Sequence, residues 1–350
     1  MKNKTTMQET LPRIAAVVEQ RLKRFFEDVE DNPQGRFFET ALSKVPAAQV
    51  RELTLRPAKR LRAALVWAGA ALFDPAAIQK SAVVDTAAAM ELLQTYLLIH
   101  DDIMDGSLTR RGGPAVHVAL GAYVGDRRTG ESLGILAGDL ASAFTQILLS
   151  DLDVDEGTAK RIQQIFAAMH LDVVHGQSLD IMESISAYEI ALHKTASYTT
   201  IGPLAAGAAL SGARDADIKH LVKTAAMLGV AFQFRDDIIG TFGDPAVTGK
   251  STDSDLLEGK RTVLIEEGRA RADKLQWKRI ERVLGSREAP PEWVADAREA
   301  LAQCGARQAC ENHVLELTEE FIGGMDRHYF GEEAKQFLIE TARYLGARNT

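Results

Sequence analysis

Apolar residues recur at intervals of three and four along nearly the whole chain of 350 residues, and strict alternation of apolar and polar residues is nearly absent. Such spacing places apolar side chains on one face of an α-helix, whereas alternation would place them on one face of a strand. Alanine and leucine, which have the best helix propensities, are abundant, and aromatic residues make up only 6% of the chain. The sequence therefore predicts an all-α protein.

Short polar or glycine-containing breaks separate the predicted helices, and no proline-rich or serine-rich linker divides the chain. The predicted helical segments are 11–30, 60–72, 81–104, 131–150, 157–183, 187–195, 202–211, 215–240, 259–284, 291–304, 306–323 and 331–346, with a long loop at 241–258. We therefore expect one all-α domain over residues 1–350, a bundle of ten or more helices.

The net charge of -8 argues against nucleic acid as a partner, because no block of lysine and arginine is large enough to follow its phosphates. No uninterrupted apolar run reaches the ~20 residues that span a bilayer, and the first residues lack the apolar segment of a signal peptide. Cys304 and Cys310 lie six residues apart, which suits neither a CxxC metal site nor a disulfide framework. We expect reduced thiols in a cytoplasmic protein without a membrane span.

In the segment "LLIHDDIMDGSLTRRG" (97–112), the apolar part of a predicted helix is followed directly by a group of carboxylates. Asp101 and Asp105 are four residues apart and share a helix face, with Asp102 beside them. The helix is expected to end near Gly106, which places these carboxylates at the negative end of the helix dipole, at a cost of ~0.3–1 kcal/mol each. The arrangement indicates a site at which a cation compensates the acidic charge.

Asp236 and Asp237 repeat this unfavourable placement just before Gly240. Aspartate oxygens are hard ligands that suit Mg2+, which takes its remaining ligands from water and substrate phosphates. We expect the two acidic clusters to face each other and to hold a diphosphate through Mg2+, with arginine and lysine supplying further positive charge. The candidate cations are Lys59, Arg62, Arg110, Arg111, Lys194, Lys250 and Lys260.

Other interpretations of single residues remain open at this point. A lone DDxxD on a helix is often a solvated acidic face, although the apolar residues on both sides of this one argue against solvation. His100 beside Asp101 suggests a metal phosphohydrolase, but further histidine ligands at suitable positions are not evident. Gln94, seven residues before Asp101, is either a core amide or a substrate contact.

Taken together, these motifs resemble those of the trans-isoprenyl diphosphate synthases over about residues 45–345. "DDIMDGSLTRRG" is similar to the first aspartate-rich motif of that family, and "FQFRDDIIGTFGDPAVTGK" (232–250) to the second. The remaining motifs in family order are "KRLR" (59–62), Gln94, "GQSLD" (176–180), "KT" (194–195) and "EGKRT" (258–262).

The resemblance implies the isoprenoid synthase fold, with helices around a deep central cavity, and a homodimer. It implies a short-chain prenyltransferase that condenses isopentenyl diphosphate with an allylic diphosphate, using three Mg2+ ions per active site. It assigns the ions to Asp101, Asp102, Asp105, Asp236 and, less directly, Asp237, and the allylic diphosphate to Arg110, Lys194, Lys250 and Lys260. It assigns the isopentenyl diphosphate to Lys59, Arg62, Gln94 and Arg111, and places Thr195 and Gln233 near the reacting carbons.

Two departures from the family pattern concern these motifs. Gly240 stands where many members have a third aspartate in the second motif, which weakens the case for a cluster of three carboxylates. Pro57 and Ala58 stand where the family has two glycines before Lys59, so the family's loop shape is not expected there, whereas Lys59 is present.

Product length is expected to depend on Tyr96, which lies five residues before Asp101, or ~7.5 Å along a helix. In the family, this position often carries the bulky side chain that limits chain growth. Leu97 stands where dedicated C15 enzymes often place a second aromatic residue. We therefore expect a C15–C20 product, with geranylgeranyl diphosphate favoured over farnesyl diphosphate.

Two other functions fit much of the same pattern. A terpene cyclase shares the helical fold and a DDxxD motif, but it needs no second diphosphate site, so Lys59, Arg62 and Arg111 argue against it. A catalytically silent partner subunit of a prenyl synthase is the other alternative. The intact first motif argues against silence, while Gly240 leaves room for it.

Overall fold

A computed structural model describes residues 6–31, 41–182, 186–244, 252–326 and 330–348. In these ranges the regular elements are helices, apart from one hairpin of two short strands. The prediction of an all-α protein with ten or more helices is confirmed. The residues form two compact units, Met1–Gln164 with Pro203–Ala213, and Ile165–Gly202 with Arg214–Thr350. The single domain over residues 1–350 stays a prediction.

The first unit contains the long apolar helix that ends in the first acidic motif. Its helices are α1 (Met7–Asp31), α2 (Ala41–Leu55), α3 (Leu61–Ala71), α4 (Ser81–Asp105), α5 (Val116–Val124), α6 (Arg127–Ser150), the start of α7 (Glu156–Met182) and most of α9 (Gly202–Leu210). A 3-10 turn covers Ala77–Gln79, and the antiparallel strands are β1 (Thr109–Arg110) and β2 (Gly113–Pro114). Helix α4 packs against α3 and α6, which buries most of its apolar residues.

The second unit is organised around the helix that carries the second acidic motif. Its elements are the rest of α7, α8 (Ala187–Ile190), a π-helix (Ala191–Ile201), α10 (Asp215–Phe242), α11 (Ser254–Glu258), α12 (Val263–Arg271), α13 (Lys274–Glu281), α14 (Pro291–Gln303), α15 (Ala306–Met325) and α16 (Glu332–Ala347). Helix α10 packs against the π-helix and α15, and Val230, Phe234 and Ile238 form part of their shared core. Cys304 and Cys310 are free thiols, as expected.

The structure corrects several helix boundaries. The segment 259–284 forms two helices, because Asp273 caps the start of α13 in a capping box with Gln276. The helix predicted over 187–195 continues to residue 201 as a π-helix, and the loop 241–258 contains α11. Helices α2 and α5 were not predicted: α2 contains Pro46, which ordinarily disfavours a helix interior, and α5 is short.

Two described helices, α4 and α6, are long and apolar enough to cross a membrane by length and composition. Core helices of folded domains meet the same criteria, and 67% of the most apolar stretch of α4 is buried inside the protein. The lack of a membrane span stays a prediction.

Candidate active site

The first acidic motif lies where it was predicted, in the last turn of α4. The helix ends at Asp105, and Gly106 caps it in the left-handed conformation with a φ of 68°. Asp101 and Asp105 are half-buried, whereas Asp102 is completely buried. The three neighbouring carboxylates therefore occupy two different environments.

Asp102 is engaged by an arginine that follows it on β1. Arg110 donates to Asp102 Oδ1 through Nε at 2.8 Å and also through Nη2, while its Nη2 lies 3.5 Å from Asp101 Oδ2. Burial raises the pKa of Asp102, and the Arg110 guanidinium partly offsets that rise. The geometry makes Asp102 an anchor for Arg110, and its predicted role as a metal ligand stays a prediction.

Asp101 and Asp105 fit a magnesium site by their chemistry, because they offer hard oxygens from one face of a helix end. Among the described residues, no three His, Cys, Asp or Glu side chains are arranged to hold a metal by themselves.

Lys59 and Arg60 lie between α2 and α3, Arg62 lies in the first turn of α3, and a buried glutamate binds Arg60. Arg60 is 2% exposed, and its Nη1 donates to Glu91 Oε2 at 3.1 Å. Glu91, on α4, also accepts from the backbone N–H of Ala63 at 3.3 Å. Arg62 is buried and Lys59 is exposed. Sequence reasoning missed Glu91, although one acidic residue in the apolar run "AAAMELL" (87–93) was a usable signal.

Arg111 joins this cluster from the hairpin after α4. Its Nη1 donates to the backbone oxygen of Leu53 at 3.3 Å. Burial lowers the pKa of Arg111 to about 10, with Glu91 opposing the effect and Arg60 adding to it. Arg111 therefore remains a cation at neutral pH. Gln94 is half-buried and lies one turn after Glu91 on α4.

Tyr96 and Leu97 lie on α4 as predicted, Tyr96 nearly buried and Leu97 half-buried. The Tyr96 ring contacts the edge of the His100 ring, with centroids 4.9 Å apart. His100 Nε2 in turn lies 3.0 Å from the backbone oxygen of Ile135 on α6. These contacts give His100 a packing role beside Tyr96.

In the second unit, three predicted site residues form a hydrogen-bonded chain. Thr195, on the π-helix, donates from Oγ1 to Gln233 Oε1 at 2.6 Å. Gln233, on α10, donates from Nε2 to Asp237 Oδ1 at 2.7 Å. In this arrangement the Gln233 amide N–H points to Asp237, and the amide oxygen accepts from the Thr195 hydroxyl group.

Asp237 is buried, and this burial, together with the nearby charges of Asp255 and Asp236, raises its pKa to about 8. Asp236 is more exposed and forms an ion pair with Arg348. A side chain added at Gly240 would place its Cβ 2.5 Å from Asp255 Oδ2. The Asp255 carboxylate thus lies beside the position where many family members have their third aspartate. Sequence reasoning did not identify Asp255, which is separated from Gly240 by fifteen positions in the chain.

The raised pKa of Asp237 predicts a pH-dependent stability of the protein without metal. Between about pH 4 and pH 8 the native state binds a proton at Asp237 that the unfolded state, with a pKa near 3.8, has lost. Raising the pH through this window therefore lowers the free energy of unfolding, by at most about 1.4 kcal/mol per pH unit from this group. Asp237→Asn should gain stability relative to wild type between pH 5 and pH 8, as measured by urea unfolding in EDTA.

The exposed Asp151, which caps the end of α6, provides the control for that comparison. Asp151→Asn should keep the same stability difference from wild type at both pH values. An equally constant difference for Asp237→Asn would contradict the prediction.

The remaining predicted lysines pair with neighbouring carboxylates. Lys194 Nζ lies 2.6 Å from Asp180 Oδ2, and Lys260 Nζ lies 3.2 Å from Glu258 Oε2. Lys250 lies outside the described residues. Within the second unit, the structure therefore links Thr195, Gln233 and Asp237. The roles of the three lysines and the approach of the two acidic clusters stay predictions.

Comparison with known proteins shows which family this chain is similar to. Residues 44–301 match the family model described as polyprenyl synthetase. The chain is 30% identical over 296 residues to a geranylgeranyl diphosphate synthase of Methanosarcina mazei, covering 83% of this chain and 86% of that protein. It is 31% identical over 224 residues to a short chain isoprenyl diphosphate synthase of Methanocaldococcus jannaschii, covering 63% of this chain and 65% of that protein.

A solved structure agrees over nearly the full length. The crystal structure of geranylgeranyl pyrophosphate synthase from Corynebacterium glutamicum, complexed with isoprenyl diphosphate and magnesium, has a TM-score of 0.89 and 32% sequence identity. The match covers 97% of this chain and 99% of that chain. The chain belongs to the polyprenyl synthetase family.

Proposed function

We propose that this protein is a short-chain trans-prenyltransferase that condenses isopentenyl diphosphate with an allylic diphosphate. The observation that carries the proposal is the end of α4, where Asp101 and Asp105 stay accessible while Asp102 holds Arg110 beside them. A solvated acidic patch gives no reason to bury one carboxylate against an arginine. Family membership and the magnesium-containing relative support the same conclusion.

In this proposal, carboxylates hold magnesium on the allylic diphosphate and cations bind both diphosphates. Three bound Mg2+ ions would supply electrostatic stabilisation of the negative charge that develops on the departing diphosphate. The carboxylates that we propose for the metal are Asp101, Asp102, Asp105, Asp236 and, less directly, Asp237. The residues for the allylic diphosphate are Arg110, Lys194, Lys250 and Lys260. The residues for isopentenyl diphosphate are Lys59, Arg62, Gln94 and Arg111.

The reacting carbons need a surface that tolerates a cation but excludes water, since water would quench it. The Thr195 hydroxyl group donates a hydrogen bond to Gln233. The lone pairs of its oxygen are therefore free to stabilise an allylic cation. The double bond of isopentenyl diphosphate attacks that cation, and the proton then lost passes to the released diphosphate. Buried apolar residues of α4, such as Leu93 and Ile99, support this proposal.

The product that we propose is geranylgeranyl diphosphate, with farnesyl diphosphate as the shorter alternative. The names of the relatives from Methanosarcina and Corynebacterium support the C20 product. Leu97 supports it as well, because a second aromatic residue beside Tyr96 would favour C15.

We further propose a cytoplasmic homodimer. Exposed apolar side chains on α5 and α6, namely Tyr123, Ile135, Leu136 and Ile147, support a protein interface in the first unit. The two free thiols support a reducing compartment.

The deciding experiment supplies the purified protein with labelled isopentenyl diphosphate and, in turn, dimethylallyl, geranyl or farnesyl diphosphate. We expect magnesium-dependent incorporation of label into a C20 product, resolved by chromatography, and no incorporation in EDTA. A terpene cyclase would release unlabelled hydrocarbon from the allylic substrate. A silent partner subunit would show no turnover, and either result would overturn the proposal.

A further inference from the structure

The two arginines Arg110 and Arg111 lie on a hairpin that is too small to be stable alone. Strands β1 and β2 pair over only two positions, Thr109 with Pro114 and Arg110 with Gly113. An isolated two-stranded hairpin is at best marginally stable in water, and this one is much shorter than usual. Other contacts must therefore fix its position.

The loop of this hairpin also carries local strain. Arg111 and Gly112 have φ values of 49° and 75°, which both fall in the left-handed region, as in a type I′ turn. Asn-Gly or Gly-Gly is the usual choice there, and a residue with a side chain such as Arg111 costs about 1 kcal/mol. Strain of this kind persists only where surrounding contacts stabilise the conformation.

A buried arginine directly after α2 joins the two strands. Arg56, which follows the last residue of α2 and is 7% exposed, donates from Nη1 to the backbone oxygen of Arg110 at 2.5 Å. From Nη2 it donates to the backbone oxygen of Pro114 at 3.0 Å. One planar guanidinium group therefore donates to both strands, and the strained loop lies between the two acceptors.

Arg56 is itself held in a single orientation. Glu52, one turn earlier, accepts from its Nε at 2.8 Å and from its Nη2 at 2.6 Å. On the other side, a Cβ at Gly113 would lie 2.7 Å from Arg56 Cζ, so only glycine lets the guanidinium lie against the strand. Arg60 Nη2 donates to the backbone oxygen of Arg56 at 3.2 Å, which links the same residue to the segment bearing Lys59 and Arg62.

We propose that Arg56 is a positioning residue for diphosphate binding. It does not touch the substrate; it fixes the hairpin so that Arg110 and Arg111 present their guanidinium groups to the diphosphates. This rests on the proposed function, which gives those two arginines their ligands. The contacts of Arg56 also support the neighbouring segment, in which Pro57 and Ala58 stand where the family has two glycines.

Two substitutions disturb the contact between Arg56 and the hairpin, one from each side of it. Arg56→Lys keeps the charge but loses the planar fork that reaches both backbone oxygens. Gly113→Ala does not change residue 56, but its methyl group displaces the Arg56 guanidinium group from the strand. Each should weaken the binding of inorganic pyrophosphate, measured by calorimetry, about tenfold, because charge-assisted contacts of Arg110 and Arg111 are lost. Each should also raise the KM for isopentenyl diphosphate by a similar factor.

Because both changes act on one contact, the double variant should bind pyrophosphate no more weakly than either single variant. Arg271→Lys is the matched arginine control, since Arg271 pairs with Glu267 at the same spacing of four residues. Gly323→Ala is the matched glycine control, because a Cβ at Gly323 meets nothing within 4 Å. Val294→Ala, in the buried core of α14, controls for a general loss of stability. All three should bind pyrophosphate as wild type does.

Wild-type affinity in Arg56→Lys would overturn the inference, and so would an equal loss in Val294→Ala at a matched melting temperature. Failure of the wild-type protein to bind pyrophosphate would overturn it too. A wild-type protein that binds pyrophosphate but incorporates no labelled isopentenyl diphosphate would refute the proposed function alone, and the pyrophosphate affinities of the variants would still decide the role of Arg56.

Discussion

Asp101→Asn is expected to lower kcat for prenyl transfer by about a thousandfold or more, with little change in the free energy of unfolding. The carboxylate is half-buried at the negative end of α4, so neutralising it relieves an unfavourable interaction with the helix dipole. It also loses a 3.5 Å contact with Arg110, which contributes at most about 1 kcal/mol. In the proposed site, the same change removes a magnesium ligand, and transition-state charge stabilisation of this kind contributes several kcal/mol.

The measurement pairs steady-state kinetics over a range of Mg2+ concentrations with urea unfolding. Asp151→Asn is the matched control, because Asp151 also lies at the C-terminal end of a helix but belongs to no motif. It should keep wild-type kcat. Near-normal turnover in Asp101→Asn at saturating Mg2+ would show that the first motif does not hold the catalytic metal.

Tyr96→Ala should lengthen the main product by at least one five-carbon unit. The Tyr96 side chain is nearly buried and its ring is supported by His100, which itself contacts the α6 backbone, so the ring has little freedom to move aside. Removing it opens space about one and a half helical turns before Asp101, where the growing chain is expected to lie. Chromatography of the products formed from labelled isopentenyl diphosphate measures the change.

Tyr96→Phe provides the control, since it keeps the ring and removes only the hydroxyl group. Its products should have wild-type length, which would assign the effect to ring volume. If Tyr96→Ala yields products of unchanged length, Tyr96 does not limit chain growth and the limit must lie elsewhere.

Local spacing was enough to predict much of the first motif. The interval of four residues between Asp101 and Asp105 places both on one helix face, and Gly106 ends that helix because glycine adopts the left-handed conformation without strain. The apolar periodicity predicted most of the long helices for the same reason, since a helix face is determined by residues close together in the chain. Local patterns failed at 259–284, where Asp273 and Gln276 start a new helix.

Contacts between distant residues could not be predicted in this way. Asp102 looks equivalent to Asp101 in the sequence, yet it alone is completely buried, with Arg110 as its partner. Glu91 appears as one polar residue in an apolar helix until Arg60, 31 positions earlier, is seen to pair with it. The Asp255 carboxylate lies close to Gly240 only because α11 packs against α10.

The sequence by itself determined the helical class, the family motifs and the face on which Asp101 and Asp105 lie, because helix geometry relates residues three and four positions apart. Only the tertiary structure decided which charges are buried and what holds Arg110 and Arg111, because Arg56 reaches their hairpin across 54 positions of the chain. The energy of a charge depends on the groups packed around it, and in a folded protein those groups come from distant segments.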